Sequence, residues 1–345
     1  AASGGGMPRL RGPPATLLLL LLCACWPAAP PTARAWPFRM GGVSRSRPVL
    51  SHDGETVYVG SFDNTTAAFP YRPAGARGPA ALHALRAADG AHLWSFRLEP
   101  CIHSVGESAR MPRCHSCGSF NTPTLSRDGE TLYLGGDDAN FAAVNASTGE
   151  LVWRAPVGSV VMSTASLSAD GRLVILDTDE NKANMSAGSK LLALATADGA
   201  RAWELGCEAH IGACNGWFSD TLVSGTSVFA GGEDGVMYAL RASDGKLAWR
   251  FDVTRDPGET KDTRICTKAA IDSAGRLFFA SNTGRLWAVS ASTGHALWSQ
   301  RAGVGRADDY ASPAISSRLG LVFFGVDRGS ADQNPGTNGV RAAVL

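Results

Sequence analysis

The chain has 345 residues, 44% of them apolar, with 32 Lys and Arg against 31 Asp and Glu. The near balance of charge excludes the basic excess of a nucleic-acid binder, and the apolar share excludes global disorder. Forty glycines and only 18% charged residues suit short strands joined by tight turns better than long solvated helices.

The first 35 residues read as a targeting segment, set apart from residues 36–345. The sequence opens at Ala1 and its first methionine is Met7, so residues 1–6 stand as possible upstream residues. Arg9 and Arg11 precede an apolar stretch from Ala15 to Trp26, and Ala33-Arg34-Ala35 supplies an A-x-A site. That is the pattern of a secretory signal peptide, and it predicts a secreted or lumenal location. The stretch falls short of the roughly 20 residues that cross a bilayer core, so no membrane span is expected. Leu22-Cys23-Ala24-Cys25 is an imperfect lipoprotein box.

Beyond residue 43 the chain repeats. A hairpin signal comes first in each unit. Ser51-His52-Asp53-Gly54, Ser126-Arg127-Asp128-Gly129 and Ser168-Ala169-Asp170-Gly171 each precede an alternating strand. Looser versions stand at Ser224-Gly225, Ser273-Ala274-Gly275 and Ser316–Gly320. A second motif closes five of the units. An Ala lies six residues before a Gly, and a Trp four after it: Ala84-Gly90-Trp94, Ala143-Gly149-Trp153, Ala193-Gly199-Trp203, Ala239-Gly245-Trp249 and Ala288-Gly294-Trp298. The Trp-to-Trp steps are 59, 50, 46 and 49, in the range of propeller blades. The predicted unit is four short antiparallel strands, A to D. One such sheet cannot bury both faces, and radial repetition hides them between neighbours. The fold class is therefore an all-β propeller with six blades visible. The sixth stops at Ala342-Ala343-Val344-Leu345, where strand C should begin, without its Gly turn or its Trp. A chain truncated at its C-terminus is expected, with closure by residues near Arg39 to Val43 as the alternative.

These motifs resemble the pyrroloquinoline-quinone (PQQ) type propeller repeat, with its A-x-D-x-x-T-G-x-x-x-W docking motif. The resemblance covers residues 43–345. It implies that Trp94, Trp153, Trp203, Trp249 and Trp298 pack onto the following blade. The physics agrees, because Trp offers a large apolar face and one N–H that needs a partner.

The long loops fall on one predicted rim, at residues 99–119, 205–216 and 252–266. They hold all six cysteines outside the leader: Cys101, Cys114, Cys117, Cys207, Cys214 and Cys266. An even number in a secreted chain reads as disulfides, with Cys207 and Cys214 the most plausible local pair and no metal expected. Zinc held by Cys101, His103, Cys114, His115 and Cys117 is the competing reading. Asn64, Asn145 and Asn184 open glycosylation sequons in or beside predicted turns.

A column at the start of the inner strands carries the charge. Arg47, Thr122, Thr164, Asp220, Lys268 and Ser312 precede Pro48, Pro123, Ala165, Thr221, Ala269 and Pro313. Thr or Ser is the ordinary choice in the family, so Arg47, Asp220 and Lys268 bring charges to the channel mouth. They are either an ion pair of adjacent blades, Asp220 with Lys268, or a polar ligand or cofactor seat with Trp217 as a stacking platform. No catalytic residue is assigned. No adjacent Cys pair of the quinoprotein dehydrogenases occurs after the leader, and no residue matches their catalytic Asp. Asp177-Thr178-Asp179-Glu180-Asn181 starts like a calcium loop but lacks its later Gly and Glu, so it reads as a polar B–C turn. The expected function is a binding or scaffold propeller. Its partner would be a protein or small polar ligand on the rim or mouth, and nucleic acid is excluded. A PQQ- and calcium-dependent alcohol or sugar dehydrogenase is the alternative.

Overall fold

The structure is a computed structural model. It describes residues 35–40, 46–61, 81–98, 122–136, 138–159, 161, 163–178, 189–206, 219–260, 263–265, 267–301, 312–326 and 339–345. The chain divides into two units, Ala1–Pro37 and Phe38–Leu345, and the second holds all that follows. Residues 1–34, most of the predicted leader, lie outside the described residues.

Six sheets follow one another along the chain. Blade 1 comprises β1 (Val49–Leu50), β2 (Thr56–Ser61), β3 (Ala81–Arg86) and β4 (His92–Arg97). Blade 2 comprises β5 (Thr124–Leu125), β6 (Thr131–Gly135), β7 (Asn140–Asn145) and β8 (Leu151–Pro156). Blade 3 runs β9 (Ser166–Leu167), β10 (Leu173–Thr178), β11 (Lys190–Ala195) and β12 (Arg201–Gly206). Blade 4 runs β13 (Leu222–Ser224), β14 (Ser227–Gly231), β15 (Val236–Arg241) and β16 (Leu247–Asp252). Blade 5 runs β17 (Ala270–Ile271), β18 (Arg276–Ala280), β19 (Arg285–Ser290) and β20 (Ala296–Arg301). Blade 6 has three strands, β21 (Ala314–Ser316), β22 (Leu321–Val326) and β23 (Gly339–Val344). Each sheet is an antiparallel meander, as the repeat predicts.

The end of the chain differs from the sequence reading. Strand C of blade 6 does not start at Ala342 but at Gly339, and it is complete. The reason lies in the register of the motif. Its Ala is the fourth residue of strand C, as Ala143 is in β7, so Ala342 marks the middle of β23. The inner strands also begin one residue later than expected, at Val49, Thr124, Ser166, Leu222, Ala270 and Ala314.

The ladder explains the spacing of the motif. In each of the five blades the motif Ala sits directly across strands C and D from the Trp: Ala84 from Trp94, Ala143 from Trp153, Ala193 from Trp203, Ala239 from Trp249 and Ala288 from Trp298. The register then slips by one residue, a β-bulge that leaves the residue before the Trp unpaired and re-aims the indole. Trp94, Trp153, Trp203 and Trp249 each reach the following blade. Their Nε1 atoms donate to the carbonyls of Ala146, Thr196, Ala242 and Ala291 at 3.1, 2.9, 2.9 and 2.9 Å. Each of those carbonyls lies three residues before the turn Gly. A Cβ on Gly149 would sit 2.6 Å from Trp94, and one on Gly199 would sit 2.6 Å from Trp153. Both glycines also hold φ above +70°, where an L side chain is strained. Trp298 packs into the cluster shared by Phe278, Val322 and Phe324, which joins blades 5 and 6.

The apolar clusters have the same logic. Each draws on residues of two successive blades, mainly from strands B and C, such as Tyr133 and Phe141 with Val174, Leu176 and Leu192, and the strand D Trp153 joins them. The core is therefore a series of seams between blades.

Trp153→Ala is expected to cost about 3–5 kcal/mol, the range for truncating a core Trp. Gly199→Ala should destabilise by the same contact, so the double variant should lose less than the sum. Denaturant melts of the two single variants and the double variant check both expectations.

Candidate functional site

The mouth column begins with buried hydroxyls. Ser46, Ser219 and Thr267, one residue ahead of Arg47, Asp220 and Lys268, are all buried. Each is tied to the end of its own strand B. Ser46 Oγ accepts from Gly60 N at 3.3 Å, Ser219 Oγ from Gly231 N at 2.7 Å, and Thr267 Oγ1 from Ala280 N at 3.1 Å. Blade 3 departs from the pattern, because Ser163 donates instead to the carboxylate of buried Asp177 at the end of β10. Asp177 and Thr178 are thus strand residues and not the polar turn read from the sequence. Their neighbours from residue 179 lie outside the described residues.

The next residue stitches one blade to another. Arg47 N donates to Thr122 Oγ1 at 3.1 Å, joining blades 1 and 2. Thr164 N donates to Asp220 Oδ1 at 2.7 Å, joining blades 3 and 4. The Asp220 carboxylate therefore does in blade 4 what the Thr122 hydroxyl does in blade 2.

Lys268 shows that the column converges. Its half-buried ammonium is held below the usual lysine range, first by burial. Asp220 of blade 4 opposes that shift, and Arg47 of blade 1 reinforces it. A blade 5 side chain can feel blade 1 and blade 4 together only where inner strands approach a common axis. Among the described residues of that column Arg47 and Lys268 are cations and Asp220 is the anion, held by Thr164 N. Trp217 lies outside the described residues, as do Cys101, Cys114, Cys117, Cys207, Cys214 and Cys266. Asn64 and Asn184 also lie outside them. Asn145 closes the C–D turn of blade 2, where its Oδ1 accepts from Ser147 N and Thr148 N at 2.9 Å each.

Two buried polar groups escaped the sequence reading. In the loop after β16, Glu259 has a fully buried side chain, 3.1 Å from Arg285 Nε on β19. Its other oxygen accepts from Thr283 Oγ1 at 2.5 Å and Thr263 Oγ1 at 3.2 Å. Arg285 also lies 5.4 Å over the ring of Trp287, a tryptophan outside the docking series. This latch fastens the blade 4–5 loop to blade 5. In the B–C turn of blade 4, Asp234 Oδ2 accepts from Tyr238 OH at 2.5 Å. Burial pushes both groups up, and the carboxylate raises the phenol further. Neither pair has a spacing signal, because each joins residues only by the way the loop folds.

The geometry defines a PQQ-repeat β-propeller, and the comparisons with known proteins agree. The family model described as "Outer membrane protein assembly factor BamB" matches residues 78–309, and the chain belongs to that PQQ-repeat family. It is 26% identical over 196 residues to outer membrane protein assembly factor BamB of Moranella endobia, covering 54% of this chain and 47% of that one. A tetrathionate hydrolase of Acidithiobacillus ferrooxidans is 34% identical over 173 residues, half of this chain and 27% of that enzyme. The crystal structure of BamB from Moraxella catarrhalis superposes with a TM-score of 0.55 at 16% identity, covering 90% of this chain and 80% of that one. A quinohemoprotein alcohol dehydrogenase of Pseudomonas putida gives 0.59 at 14% identity, covering 84% of this chain and 52% of that one. At these identities the structural likeness speaks for the fold alone. The chain spans about half the length of the curated BamB relatives it matches.

Two outcomes follow from the charged groups. A lysine whose folded pKa is depressed carries a cost that is full below that lowered pKa and fades as pH rises from it to the ordinary value of 10.5. Lys268→Met should therefore stabilise the fold at pH 7, with the advantage vanishing near pH 10.5 in urea melts. Glu259→Ala removes the buried partner of Arg285, leaving it Asp256 at 3.5 Å, and should cost about 3 kcal/mol, the low end for breaking a buried pair, in the same assay at neutral pH.

Proposed function

We propose that the protein is a binding propeller, not a catalyst, that works in a secretory or extracytoplasmic compartment and presents its loop rim to a protein partner. One observation carries the reading. Asp220, the single carboxylate of the mouth column, is committed to Thr164 N and so is occupied in holding two blades together. Relatives named as assembly factors support the same class of role. The leader pattern supports the compartment, and disulfides among the six loop cysteines and glycans at Asn64, Asn145 or Asn184 belong to that reading.

The dehydrogenase alternative needs PQQ and calcium on the axis. Calcium takes six to eight oxygen ligands. Among the described residues no group of three or more His, Cys, Asp or Glu is placed to hold a metal ion. At the mouth Arg47 and Lys268 are cations, and the carboxylates of Asp220 and Asp177 are engaged by Thr164 N and the Ser163 hydroxyl, which is not a calcium ligand set. The described residues do not fit the pair, and no catalytic step is derived through it. The charged column suits a small polar ligand, with Trp217 proposed as its platform, as an accessory to the rim.

An absorbance titration with PQQ and calcium is expected to show no saturable change, and the reconstituted protein should not reduce a redox dye with alcohols or sugars. Stoichiometric binding with alcohol-dependent dye reduction would establish the dehydrogenase. Cross-linking in the native compartment should place a protein partner on the loops between blades, and cross-links confined to the outer strands would reject the rim.

A further inference from the structure

The outer half of blade 1 carries a group that the repeat does not require. His83 on β3 is paired in register with Ser95 on β4. Its Nδ1 lies 2.8 Å from Ser95 Oγ, and His92 Nε2 lies 2.7 Å from the same oxygen. Two imidazole nitrogens from two strands thus aim at one point. The bulge makes this possible. Residues three apart on a regular strand face opposite sides, and the extra residue at Leu93 brings His92 and Ser95 onto one face.

The remaining hydrogen bonds set the tautomer of His83. Ser61 Oγ donates to Ala81 O at 3.3 Å, so its 3.1 Å contact with His83 Nε2 is met by an N–H on the ring. Nδ1 then keeps its lone pair, directed at Ser95. A metal-binding histidine ordinarily has this support, with its second nitrogen donating to a fixed oxygen that orients the ring. Burial, and then the neighbouring His92, hold the His83 pKa below its ordinary value. Phe38 stacks on His92 at 6.0 Å, nearly parallel, and meets His83 edge-on at 5.5 Å, which restricts both rings. Nothing in the fold itself calls for the pair. The positions matching His83 in blades 2–5 are Ala142, Leu192, Tyr238 and Trp287, and those matching His92 are Leu151, Arg201, Leu247 and Ala296.

We propose that His83 Nδ1 and His92 Nε2 form a two-imidazole site for a divalent transition-metal ion on the outer strands of blade 1. The ion takes the point now held by the Ser95 hydroxyl, which turns aside, and the proton with which His92 Nε2 met that hydroxyl passes through water to Nδ1 of the same ring. Each nitrogen moves in by about 0.7 Å to reach the 2.0–2.1 Å of a metal–imidazole bond. The imidazole donors select copper(II), nickel(II) or zinc over calcium or magnesium, and water completes the shell. This site is separate from the channel mouth and stands whether or not the rim binds a protein.

Copper(II) alone is the probe, added to the full chain and read by electron paramagnetic resonance. One copper per chain with coupling to two imidazole nitrogens is expected. His92→Gln should weaken that species about tenfold or more, a lower bound set by the cost of losing even a supporting partner. Ser95→Ala should retain it, because the hydroxyl only occupies the point. A copper spectrum and affinity unchanged in His92→Gln would overturn the site, and so would loss of copper in Ser95→Ala. A thermal melt verifies that each variant is folded. Should His92→Gln fail to fold, His83→Gln reads the same two-nitrogen signature from the other strand.

Discussion

A tryptophan in one blade depends on a missing side chain in the next. The indole of Trp94 lies where a Cβ of Gly149 would be, and its N–H reaches the carbonyl of Ala146. The same contact recurs between blades 2 and 3, 3 and 4, and 4 and 5. Each blade is too thin to have a core of its own, so its stability is in the seam with its neighbour. The motif Ala belongs to the same contact, since a larger residue across the ladder would push the indole out of its slot. Small, absent and large side chains in fixed order are one interaction spread over three positions and two blades.

The inner ends of the blades are stitched less strictly, and that latitude leaves room for specialisation. A blade needs an acceptor for its neighbour's N–H, and a hydroxyl or a carboxylate serves equally well. Thr122 and Asp220 fill that position in different blades. Once a charge is admitted there, its field reaches other blades, as the response of Lys268 to Asp220 and Arg47 shows. There a blade 5 side chain is within electrostatic reach of a blade 1 side chain. Relatives with unlike names, an assembly factor and a tetrathionate hydrolase, both match this chain, so the repeat by itself does not set the chemistry.

The seam residues were legible because their requirement repeats. Five copies of Ala, Gly and Trp at constant spacing announce a local geometry that every blade must satisfy. The column of Arg47, Asp220 and Lys268 was legible for the opposite reason, as charges that interrupt a series of Thr and Ser. What interrupts nothing was missed. Ser46, Ser219 and Thr267 look like ordinary loop hydroxyls until their strand-end contacts are seen. Glu259 and Arg285 are 26 residues apart in different elements, with no period to connect them. Sequence reading also placed strand C of blade 6 too late, because it took the motif Ala for a strand start when it is the fourth residue of the strand.

By itself the sequence determined the strand count per blade, the handful of turns that need glycine and the position of each docking tryptophan. These follow from short-range rules, in which alternation, turn chemistry and a fixed offset act within a few dozen residues. Only the tertiary structure decided which polar atoms face each other. Whether Asp220 is a free acid or an acceptor for Thr164, and whether His83 and His92 point apart or at one oxygen, depends on a one-residue bulge and on where separate blades come to rest. Side-chain direction reverses with each residue of a strand, so a single slip in register exchanges one face for the other, and no spacing in the sequence records it.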